Sequence, residues 1–498
     1  MPRLKQLLAG LDFIRVDGDE EREVTGIHFD SRRIRPGNIF VAVPGLKTDG
    51  HHYIPDAIKA GARVVVVEKP VQVPAGVTVV QVQDSRRALS HLGAAYYGYP
   101  SSHLRVVGVT GTNGKTTTTY LIESILRTEG YQVGLLGTIG GRVGQLNLPV
   151  EHTTPESLDL QELLSAMVKA EADYAVMEVS SHALALGRVL DCEFDVAVFT
   201  NLTQDHLDFH GRMEEYREAK LRLFASLGEK GVKNRSKYGV VNVDDPQGEV
   251  FASAARVPVI GYGIERPAAV QAREVKITPR GASFWAVLPL GEIPVNLQLT
   301  GRFNVYNALA AIAVGWQEGA SLASIKRGLE KVRGVPGRFE LVDEGQNFAV
   351  VVDYAHTPDG LENLLVTARE VGAGRLITVF GCGGDRDRSK RPLMGQVAGR
   401  WSDYVVVTSD NPRTEDPQRI INDILPGLTA AISEDSYTVI PERAEAIRFA
   451  LKNAKEGDIV VIAGKGHETY QIIGQEFIPF DDREVARQAL RQLGWGEK

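Results

Sequence analysis

The segment "LRVVGVTGTNGKTT" (104–117) constrains the fold more than any other part of this 498-residue chain. The apolar run that ends at Thr110 predicts a buried strand, and "TTYLIESILRTEG" after the glycine-rich loop predicts a helix. A strand, a glycine-rich loop and a helix in this order form a phosphate-binding loop, in which backbone N–H groups and the helix N-terminus bind phosphate. Further apolar strands alternate with helices downstream, which indicates a mostly parallel sheet with crossover helices.

The loop itself departs from the usual phosphate-binding pattern at one position. Gly111 and Gly114 let the backbone close around phosphate, Lys115 would reach the β- and γ-phosphates, and the Thr116 hydroxyl would bind Mg²⁺. The standard pattern has glycine where this chain has Val109. A glycine-rich turn that binds nothing is the alternative, but the strand–loop–helix context favours a variant ATP site.

A phosphate-binding loop needs a second metal anchor, usually an acid at the end of a neighbouring strand. Glu178 follows the apolar run of "YAVMEVSSH". The segment "VFTNLTQDHLDFH" adds four candidates, Asp205, His206, Asp208 and His210. Imidazole is an unusual ligand for Mg²⁺, and a structural role is the alternative for each histidine. Lys220, taken alone, is expected on the exposed face of an amphipathic helix.

Four strands in the last third of the chain each end in a polar loop. They are "FAVVVDYAHTPDG", "LITVFGCGGDRDRSKRP", "DYVVVTSDNPR" and "DIVVIAGKGHE". Ligands of open α/β sheets bind outside the carboxyl ends of the strands, so these loops could form one cleft. For "DNPR" (410–413) the alternative is a simple Asn-Pro turn with an exposed arginine, but a shared cleft favours a polar ligand.

These patterns predict an α/β protein of three domains, in line with about 150 residues for each domain. The boundaries are expected at 1–99 for a small N-terminal domain, 100–332 for a central phosphate-loop domain and 333–498 for a Rossmann-like C-terminal domain. The alternating pattern between Ala268 and Leu299 predicts an antiparallel annex to the central sheet.

Composition narrows the class of protein and its surroundings. The net charge of −7 argues against a nucleic-acid or anionic-lipid partner. Two distant cysteines do not suggest a disulfide framework and fit a reducing compartment. No segment has the apolar length of a signal peptide or a membrane span. We therefore expect a cytoplasmic protein without membrane insertion. A monomer is a separate expectation.

Motifs along nearly the whole chain resemble those of the Mur ligases of peptidoglycan synthesis. In order, they are "FDSRRIRPGNIFVAVPG", "TGTNGKTT", "MEVSSHAL", "FTNLTQDHLDFHG", "YREAKLRLF", "GRFNVYNALAA", "PGRFE", "DYAHTPDG", "GCGGDRDRSKRP", "SDNPRTEDP" and "AGKGHETY". The resemblance implies that ATP phosphorylates the D-glutamate γ-carboxylate of UDP-N-acetylmuramoyl-L-alanyl-D-glutamate. An amine of meso-2,6-diaminopimelate then attacks the acyl phosphate and forms an amide. Phosphorylation supplies the good leaving group that a carboxylate lacks, which leaves positioning and charge neutralisation to the protein.

The resemblance also implies site residues, position by position. The catalytic residues are Lys115, Glu178, His206 and Lys220. Two Mg²⁺ ions would be held by Thr116, Glu178, His206 and Lys220, the last as an N6-carboxylated (carbamylated) lysine. ATP would contact Gly111, Thr112, Asn113, Gly114, Lys115, Thr116, Thr117, Asn304, Asn307, Arg338, Asp353 and His356. The UDP-linked dipeptide would contact Phe29, Ser31, Leu46, Lys47, Thr48, Thr153, Thr154, Ser180, Arg188 and Lys220.

The same resemblance gives "DNPR" a purpose. The diaminopimelate pocket would comprise Arg386, Asp410, Asn411, Pro412, Arg413, Gly464 and Glu468. A guanidinium fork matches a carboxylate with two parallel charge-assisted hydrogen bonds, so Arg413 would bind the distal carboxylate while Glu468 pairs with the distal ammonium. Lysine lacks that carboxylate and would leave Arg413 without an anion.

Three rival functions remain open at this point. The nearest is the lysine-adding version of the same ligase. Folylpolyglutamate synthases share the fold and phosphate loop, but they are not expected to carry the N-terminal "DSR" block. A non-catalytic nucleotide switch would not need Glu178, His206 and Lys220 together.

Overall fold

The computed structural model describes residues 1–45, 48–150, 152–229, 231–278, 281–372 and 374–496. Three sheets follow one another along the chain, and each is built from one continuous part of it. The predicted α/β architecture of three domains is confirmed.

The first unit is a five-stranded sheet in the order β1-β5-β4-β3-β2, parallel except for β1. Its central strand is the run "VVVV", buried on both faces as expected of a parallel strand covered by helices. The strands are β1 (Arg15–Asp17), β2 (Gly26–His28), β3 (Asn38–Val41), β4 (Val64–Val67) and β5 (Thr78–Gln81). The helices are α1 (Leu4–Leu7), α2 (Ile54–Lys59) and α3 (Ser85–Tyr96), with 3₁₀ turns at Ser31–Arg33, Gly50–Tyr53 and Pro100–His103.

The second unit is an eleven-stranded sheet in the order β16-β15-β14-β13-β12-β11-β6-β10-β7-β8-β9. Its strands are β6 (Arg105–Thr110), β7 (Val133–Gly137), β8 (Gly140–Val143), β9 (Leu146–Leu148), β10 (Tyr174–Glu178), β11 (Val196–Phe199), β12 (Tyr238–Asn242), β13 (Val259–Gly263), β14 (Val270–Thr278), β15 (Gly281–Leu288) and β16 (Gly291–Leu297). Its helices are α4 (Lys115–Glu129), α5 (Ser157–Lys169), α6 (Ser181–Ala185), α7 (Leu207–His210), α8 (Met213–Leu227), α9 (Gly248–Ala254), α10 (Arg302–Gln317) and α11 (Leu322–Glu330).

The middle of this sheet is parallel and consists of β6, β7 and β10 to β14, and an antiparallel extension adjoins it at each edge. The predicted annex is confirmed as β14, β15 and β16. The hairpin β8–β9 at the opposite edge was not predicted, because the glycines of "GGRVG" interrupt any strand pattern. Helix α4 begins at Lys115, three residues before the predicted helix, so the phosphate loop turns directly into it.

The third unit is a six-stranded sheet in the order β17-β18-β22-β19-β20-β21, parallel except for β17. Its strands are β17 (Glu340–Leu341), β18 (Ala349–Asp353), β19 (Leu376–Phe380), β20 (Tyr404–Val407), β21 (Tyr437–Val439) and β22 (Ile459–Ala463), followed by the separate hairpin β23 (Tyr470–Ile473) and β24 (Glu476–Pro479). Its helices are α12 (Pro358–Val371), α13 (Lys390–Trp401), α14 (Pro417–Thr429), α15 (Arg443–Asn453) and α16 (Asp482–Gln492), with a 3₁₀ turn at Glu434–Ser436.

The order of the third sheet places its polar loops at one edge. Strands β18, β22, β19 and β20 are parallel neighbours, so the four loops that follow them lie side by side, as predicted. Within the described ranges, no helix combines the length and the apolar character needed to cross a bilayer.

A buried ion pair lies at the end of one of these strands. Arg443 donates from Nε and Nη2 to the two oxygens of Asp482 at 2.7 and 2.6 Å, and both side chains are fully buried. Arg443 Nη2 also donates to the carbonyl of Ala463 at 3.0 Å, at the end of β22. The pair therefore holds α15 and α16 against the loop edge.

Replacing Arg443 by methionine is expected to destabilise the third unit by about 3–5 kcal/mol, because Asp482 would remain buried without a partner. The double variant Arg443→Met/Asp482→Leu should recover most of this loss, since apolar residues often replace a buried ion pair without penalty. Hydrogen exchange of the β22 amides would measure both effects. Equal protection in the single and double variants would contradict this account.

Candidate functional site

A cavity of about 590 Å³ lies between the carboxyl edge of the central sheet and the third unit. Most of the predicted ATP, metal and catalytic residues line it. These are Thr112, Asn113, Gly114, Lys115, Thr116, Thr117, Glu178, His206, Lys220, Asn307, Arg338, Asp353 and His356, together with Thr153 and Ser180 from the predicted dipeptide group. The structure thus brings together residues that are more than 240 positions apart in sequence.

The phosphate loop leaves no room for a side chain at its last glycine. Gly114 has φ +84°, and a Cβ there would collide with the Asn307 amide oxygen. Asn307 is held in turn by Asn304, whose side-chain oxygen accepts from Asn307 Nδ2 at 3.0 Å. Asn304 itself donates to the Thr300 carbonyl and does not line the cavity. Asn304 therefore supports Asn307 in this geometry, and its contact with ATP stays a prediction.

A single hydroxyl connects the loop, the central sheet and the third unit. Thr116 Oγ1 donates to Glu178 Oε2 at 3.1 Å and accepts from Arg338 Nη2 at 3.1 Å. Glu178 is almost fully buried at the end of β10, and it also accepts from the Thr138 backbone N–H and hydroxyl at 2.8 and 3.1 Å. Thr138 was missed in the sequence, because nothing in "GTIGG" marks it as polar support for an acid.

Two amines, that of the half-buried Lys115 and that of the buried Lys220, converge on one carbonyl of the loop. Lys115 Nζ and Lys220 Nζ donate to the Gly111 carbonyl at 2.9 and 2.7 Å. Lys220 is only 1% exposed, so the expectation of a surface lysine from its helix alone is wrong. Burial lowers the pKa of both amines, and the charge of Lys115 lowers the pKa of Lys220 further. The uncharged amine is the reactive form of lysine.

The predicted metal ligands provide a hydroxyl, a carboxylate and an imidazole around the same cavity. Burial lowers the pKa of His206 to about 3, which keeps the ring neutral as a metal ligand requires. Among the described residues, no group of three or more His, Cys, Asp or Glu side chains is close enough to hold a metal ion. The predicted hydroxyl, carboxylate and imidazole donors still fit Mg²⁺, because this ion keeps several waters and takes one or two carboxylates plus phosphate oxygens.

The third unit contributes Arg338, Asp353 and His356 to the cavity, and each is held by a contact within that unit. Asp353 accepts from the N–H groups of Phe339 and Ala355 at 2.6 and 2.7 Å, and His356 Nδ1 lies 2.8 Å from the Tyr354 carbonyl oxygen. The Arg338 guanidinium lies over the Tyr354 ring at 4.7 Å. These contacts fix the loop after β18 within the third unit.

Asp359, at the start of α12, joins the two units directly and was not among the predicted residues. Its Oδ2 accepts from Asn113 Nδ2 at 2.6 Å and from the Thr203 hydroxyl at 2.9 Å. The only sequence signal was its position in "DYAHTPDG", since contacts between distant segments leave no local pattern.

The predicted dipeptide residues of the central unit form a hydrogen-bonded group around Thr154. The Ser180 N–H donates to Thr154 Oγ1 at 3.0 Å, and Arg188 Nη1 donates to the Thr154 carbonyl at 3.1 Å. Arg188 is also paired with Glu156 at 2.7 Å. Thr153 and Ser180 face the cavity, whereas Thr154 and Arg188 lie behind them.

The residues of the first unit that were predicted to bind the UDP-linked dipeptide do not line the cavity. Phe29 packs on the core of that unit, Ser31 begins a 3₁₀ turn, and the Thr48 hydroxyl lies 3.3 Å from that of Tyr53. Leu46 and Lys47 lie outside the described residues.

The predicted diaminopimelate residues form a second cluster, and none of them lines the 590 Å³ cavity. Asn411 Nδ2 donates to Glu468 Oε2 at 2.9 Å, and the fully buried Lys465 donates to Asn411 Oδ1 and Glu468 Oε2 at 3.0 and 2.9 Å. Asp410 lies against Gly464, and its buried Oδ2 has no hydrogen-bond partner among the described residues. Lys465 was missed, although "GKGHE" places it between two predicted positions.

Two arginines in this second cluster lack a carboxylate partner. Arg413 Nη1 donates to the Gly384 carbonyl at 2.8 Å, and Arg386 Nη1 donates to the Asp385 carbonyl at 2.9 Å. Among the described residues, neither guanidinium lies within 4.0 Å of a carboxylate. Burial and the neighbouring charge of Arg386 lower the pKa of Arg413. Two repelling guanidiniums without a partner are suited to bind an anion.

Comparisons with known proteins show which family this chain resembles. Three family models match in order: "Mur ligase family, catalytic domain" at residues 23–97, "Mur ligase middle domain" at 109–315 and "Mur ligase, glutamate ligase domain" at 337–466. The UDP-N-acetylmuramoyl-L-alanyl-D-glutamate–2,6-diaminopimelate ligase of Syntrophomonas wolfei subsp. wolfei is 50% identical over 489 residues, 98% of this chain and 99% of the relative. The chain belongs to the Mur ligase family.

Two other similar proteins carry the same name. The ligase of Geobacillus thermodenitrificans is 50% identical over 490 residues, covering 98% of this chain and 99% of its own. A solved structure of such a ligase superimposes with a TM-score of 0.69 at 35% identity, covering 99% of both chains. The cavity thus lies where the middle and glutamate ligase domains of a Mur ligase meet.

Replacing Gly114 by alanine is expected to weaken ATP binding at least about tenfold, because the left-handed backbone costs about 1–2 kcal/mol and the new Cβ collides with Asn307. Calorimetric titration with a non-hydrolysable ATP analogue would measure the loss. Gly130→Ala is the matched control: Gly130 has φ +114° at the other end of α4, and a Cβ there meets no atom within 4 Å. Equal losses in both variants would refute a specific role for the loop.

Proposed function

We propose that this Mur ligase adds meso-2,6-diaminopimelate to the D-glutamate γ-carboxylate of UDP-N-acetylmuramoyl-L-alanyl-D-glutamate, consuming ATP and releasing ADP and phosphate. The observation that carries the proposal is the unpaired couple Arg386 and Arg413 in a cluster that also holds Glu468. This arrangement would offer a carboxylate site and an ammonium site in one cluster, which matches the distal carbon of diaminopimelate. The names of the relatives that are 50% identical support the same substrate.

The phosphates of ATP would lie against the N–H groups of the phosphate loop, with Lys115 turned from the Gly111 carbonyl toward them. Thr116, Glu178 and His206 would hold Mg²⁺, which neutralises phosphate charge. Arg338, Asp353 and His356 would approach the nucleotide from the third unit. The protein's own contribution is to hold the γ-phosphate and the glutamate carboxylate in line within a confined cavity.

Lys220 would act as its carbamate, formed when the uncharged amine attacks CO₂ and loses a proton. Burial favours this step because it lowers the pKa of the amine. The product would exchange a cation next to Lys115 for a carboxylate, which removes a repulsion and supplies a ligand for a second Mg²⁺.

The remaining assignments follow from the same proposal. Thr153, Thr154, Ser180 and Arg188 would bind the dipeptide, while Phe29, Ser31 and Thr48 would bind the uridine end of the substrate with Leu46 and Lys47. The domain boundaries at 99/100 and 332/333, the monomeric state and the cytoplasmic location stay predictions.

An amino-acid panel tests the substrate. With ATP and the UDP-linked dipeptide, phosphate release should require meso-diaminopimelate, and lysine should be a poor substitute.

Arg413→Ala should lower kcat/KM for diaminopimelate about 100-fold or more, since charge-assisted hydrogen bonds contribute about 1.5–3 kcal/mol each. Arg400→Ala, on the exposed side of α13, is the control and should change nothing.

The outcomes of the panel separate the rival functions. Preference for lysine would overturn the substrate while leaving the ligase reaction in place. Phosphate release without either acceptor substrate would instead favour a nucleotide-hydrolysing switch.

Labelling with ¹³C-bicarbonate tests the carbamate. Wild-type protein should show a carbamate carbon signal in the NMR spectrum that disappears in Lys220→Ala and persists in Lys115→Met. Added acetate should restore part of the activity of Lys220→Ala, because it supplies the missing carboxylate. An active wild-type enzyme without a carbamate signal would contradict the assignment.

A further inference from the structure

The loops that carry Arg386 and Arg413 are joined to each other by reciprocal hydrogen bonds. The Asp385 carboxylate accepts from the Thr414 hydroxyl and N–H at 2.8 and 3.3 Å. In the opposite direction, Glu415 Oε1 accepts from the Asp385 N–H at 2.6 Å. The residues next to each arginine therefore hold the other loop.

The two loops also approach each other so closely that the backbone departs from its usual conformations. A Cβ at Gly384 would collide with the Pro412 carbonyl oxygen. Asp385 and Arg413 both have left-handed backbones, with φ +52° and +51°. Such conformations persist only where surrounding contacts enforce them, and they concentrate at binding sites. A contact that fixes this crossing is needed to keep both arginines in place.

Arg391 on α13 supplies a contact that fixes the crossing of the two loops. It is fully buried and binds Glu415 through two parallel hydrogen bonds of 2.7 and 3.0 Å. It also donates to the Gly383 carbonyl at 3.2 Å, on the loop that carries Arg386. Its other partner is Asp423 on α14, at 2.8 Å. The hydrogen bonds from Arg391 lower the pKa of Glu415 to about 2, which keeps that carboxylate charged.

We propose that Glu415, held by Arg391, is a positioning residue that sets the separation of the Arg386 and Arg413 guanidiniums and thereby selects an amino acid with a distal carboxylate. The two guanidiniums repel each other, so they would drift apart unless their loops were braced. A carboxylate can neutralise both only at a fixed separation, because charge-assisted hydrogen bonds require defined distances and angles. The inference rests on the proposed function, since it assigns this pair to diaminopimelate.

Kinetics of Glu415→Ala and Glu415→Gln test the inference. We expect Glu415→Ala to raise KM for meso-diaminopimelate about tenfold or more, in line with the effect of a small misplacement of binding groups. KM for ATP and for the UDP-linked dipeptide should not change, and the preference for diaminopimelate over lysine should fall. Glu415→Gln should lie between, because the amide oxygen can still accept from the Asp385 N–H.

Asp423→Asn is the matched control. Asp423 pairs with Arg391 and with the exposed Arg388, but it contacts neither Asp385 nor Thr414. The Asp423→Asn substitution therefore removes the other charge partner of Arg391 and leaves the hydrogen bonds between the two loops intact. Its KM for diaminopimelate should match that of the wild type, and melting temperatures of all variants would show how far each is destabilised.

Two results would overturn the inference while wild-type protein still uses diaminopimelate. One is an equal rise of KM in Asp423→Asn, and the other is a Glu415→Ala variant whose three KM values change together or not at all. Wild-type protein that releases no phosphate with diaminopimelate would instead overturn the proposed function, and the inference would fall with it.

Discussion

The hydroxyl of Thr116 is shared by the three parts of the molecule that must meet for phosphate chemistry. It donates to Glu178 at the end of a central strand and accepts from Arg338 of the third unit, both at 3.1 Å. A cation bound through the lone pair of this oxygen would displace the Arg338 N–H. The guanidinium would then be available to a phosphate oxygen. Binding of a metal ion by Thr116 and recruitment of Arg338 would thus be coupled through one atom.

The cavity also holds two amines whose positive charge is disfavoured by their burial. The amines of Lys115 and Lys220 both donate to the Gly111 carbonyl, and burial disfavours the charged form of each. A buried cation is stabilised only by an anion close by. An anionic ligand at the loop therefore removes a cost that exists in its absence, which makes phosphate the natural occupant.

Much of the architecture could be predicted from the sequence, because strand periodicity and the glycine loop depend on local residues. The edge position of the four polar loops followed from the general behaviour of parallel strands. The burial of Lys220 could not be predicted from its helix alone, since the pattern of α8 does not reveal what packs on it. Lys465 and Asp359 act through residues more than 50 and 240 positions away, and such contacts arise only when the chain is folded.

The motif resemblance did not distinguish the positions of Asn304 and Asn307 relative to the cavity. Both occur in one block, yet only Asn307 faces the cavity, and Asn304 lies behind it as support. A sequence motif records which residues occur together without separating those that bind a ligand from those that hold the binders. The geometry makes that separation, and it places the Asn307 oxygen where it fills the space beside Gly114.

The second cluster suggests how selection of the amine is separated from activation of the carboxylate. Its residues do not line the phosphate cavity, so under the proposed function the amino acid would be chosen by groups other than those that bind phosphate. Burial and the neighbouring charge of Arg386 both lower the pKa of Arg413, and under the proposed function the repulsion between the two guanidiniums would be the selecting force. A ligand with a distal carboxylate relieves this repulsion, and a ligand without one leaves it in place. On this account selectivity would arise from the repulsion within the arginine pair, and it would grow as the two arginines are held more rigidly together.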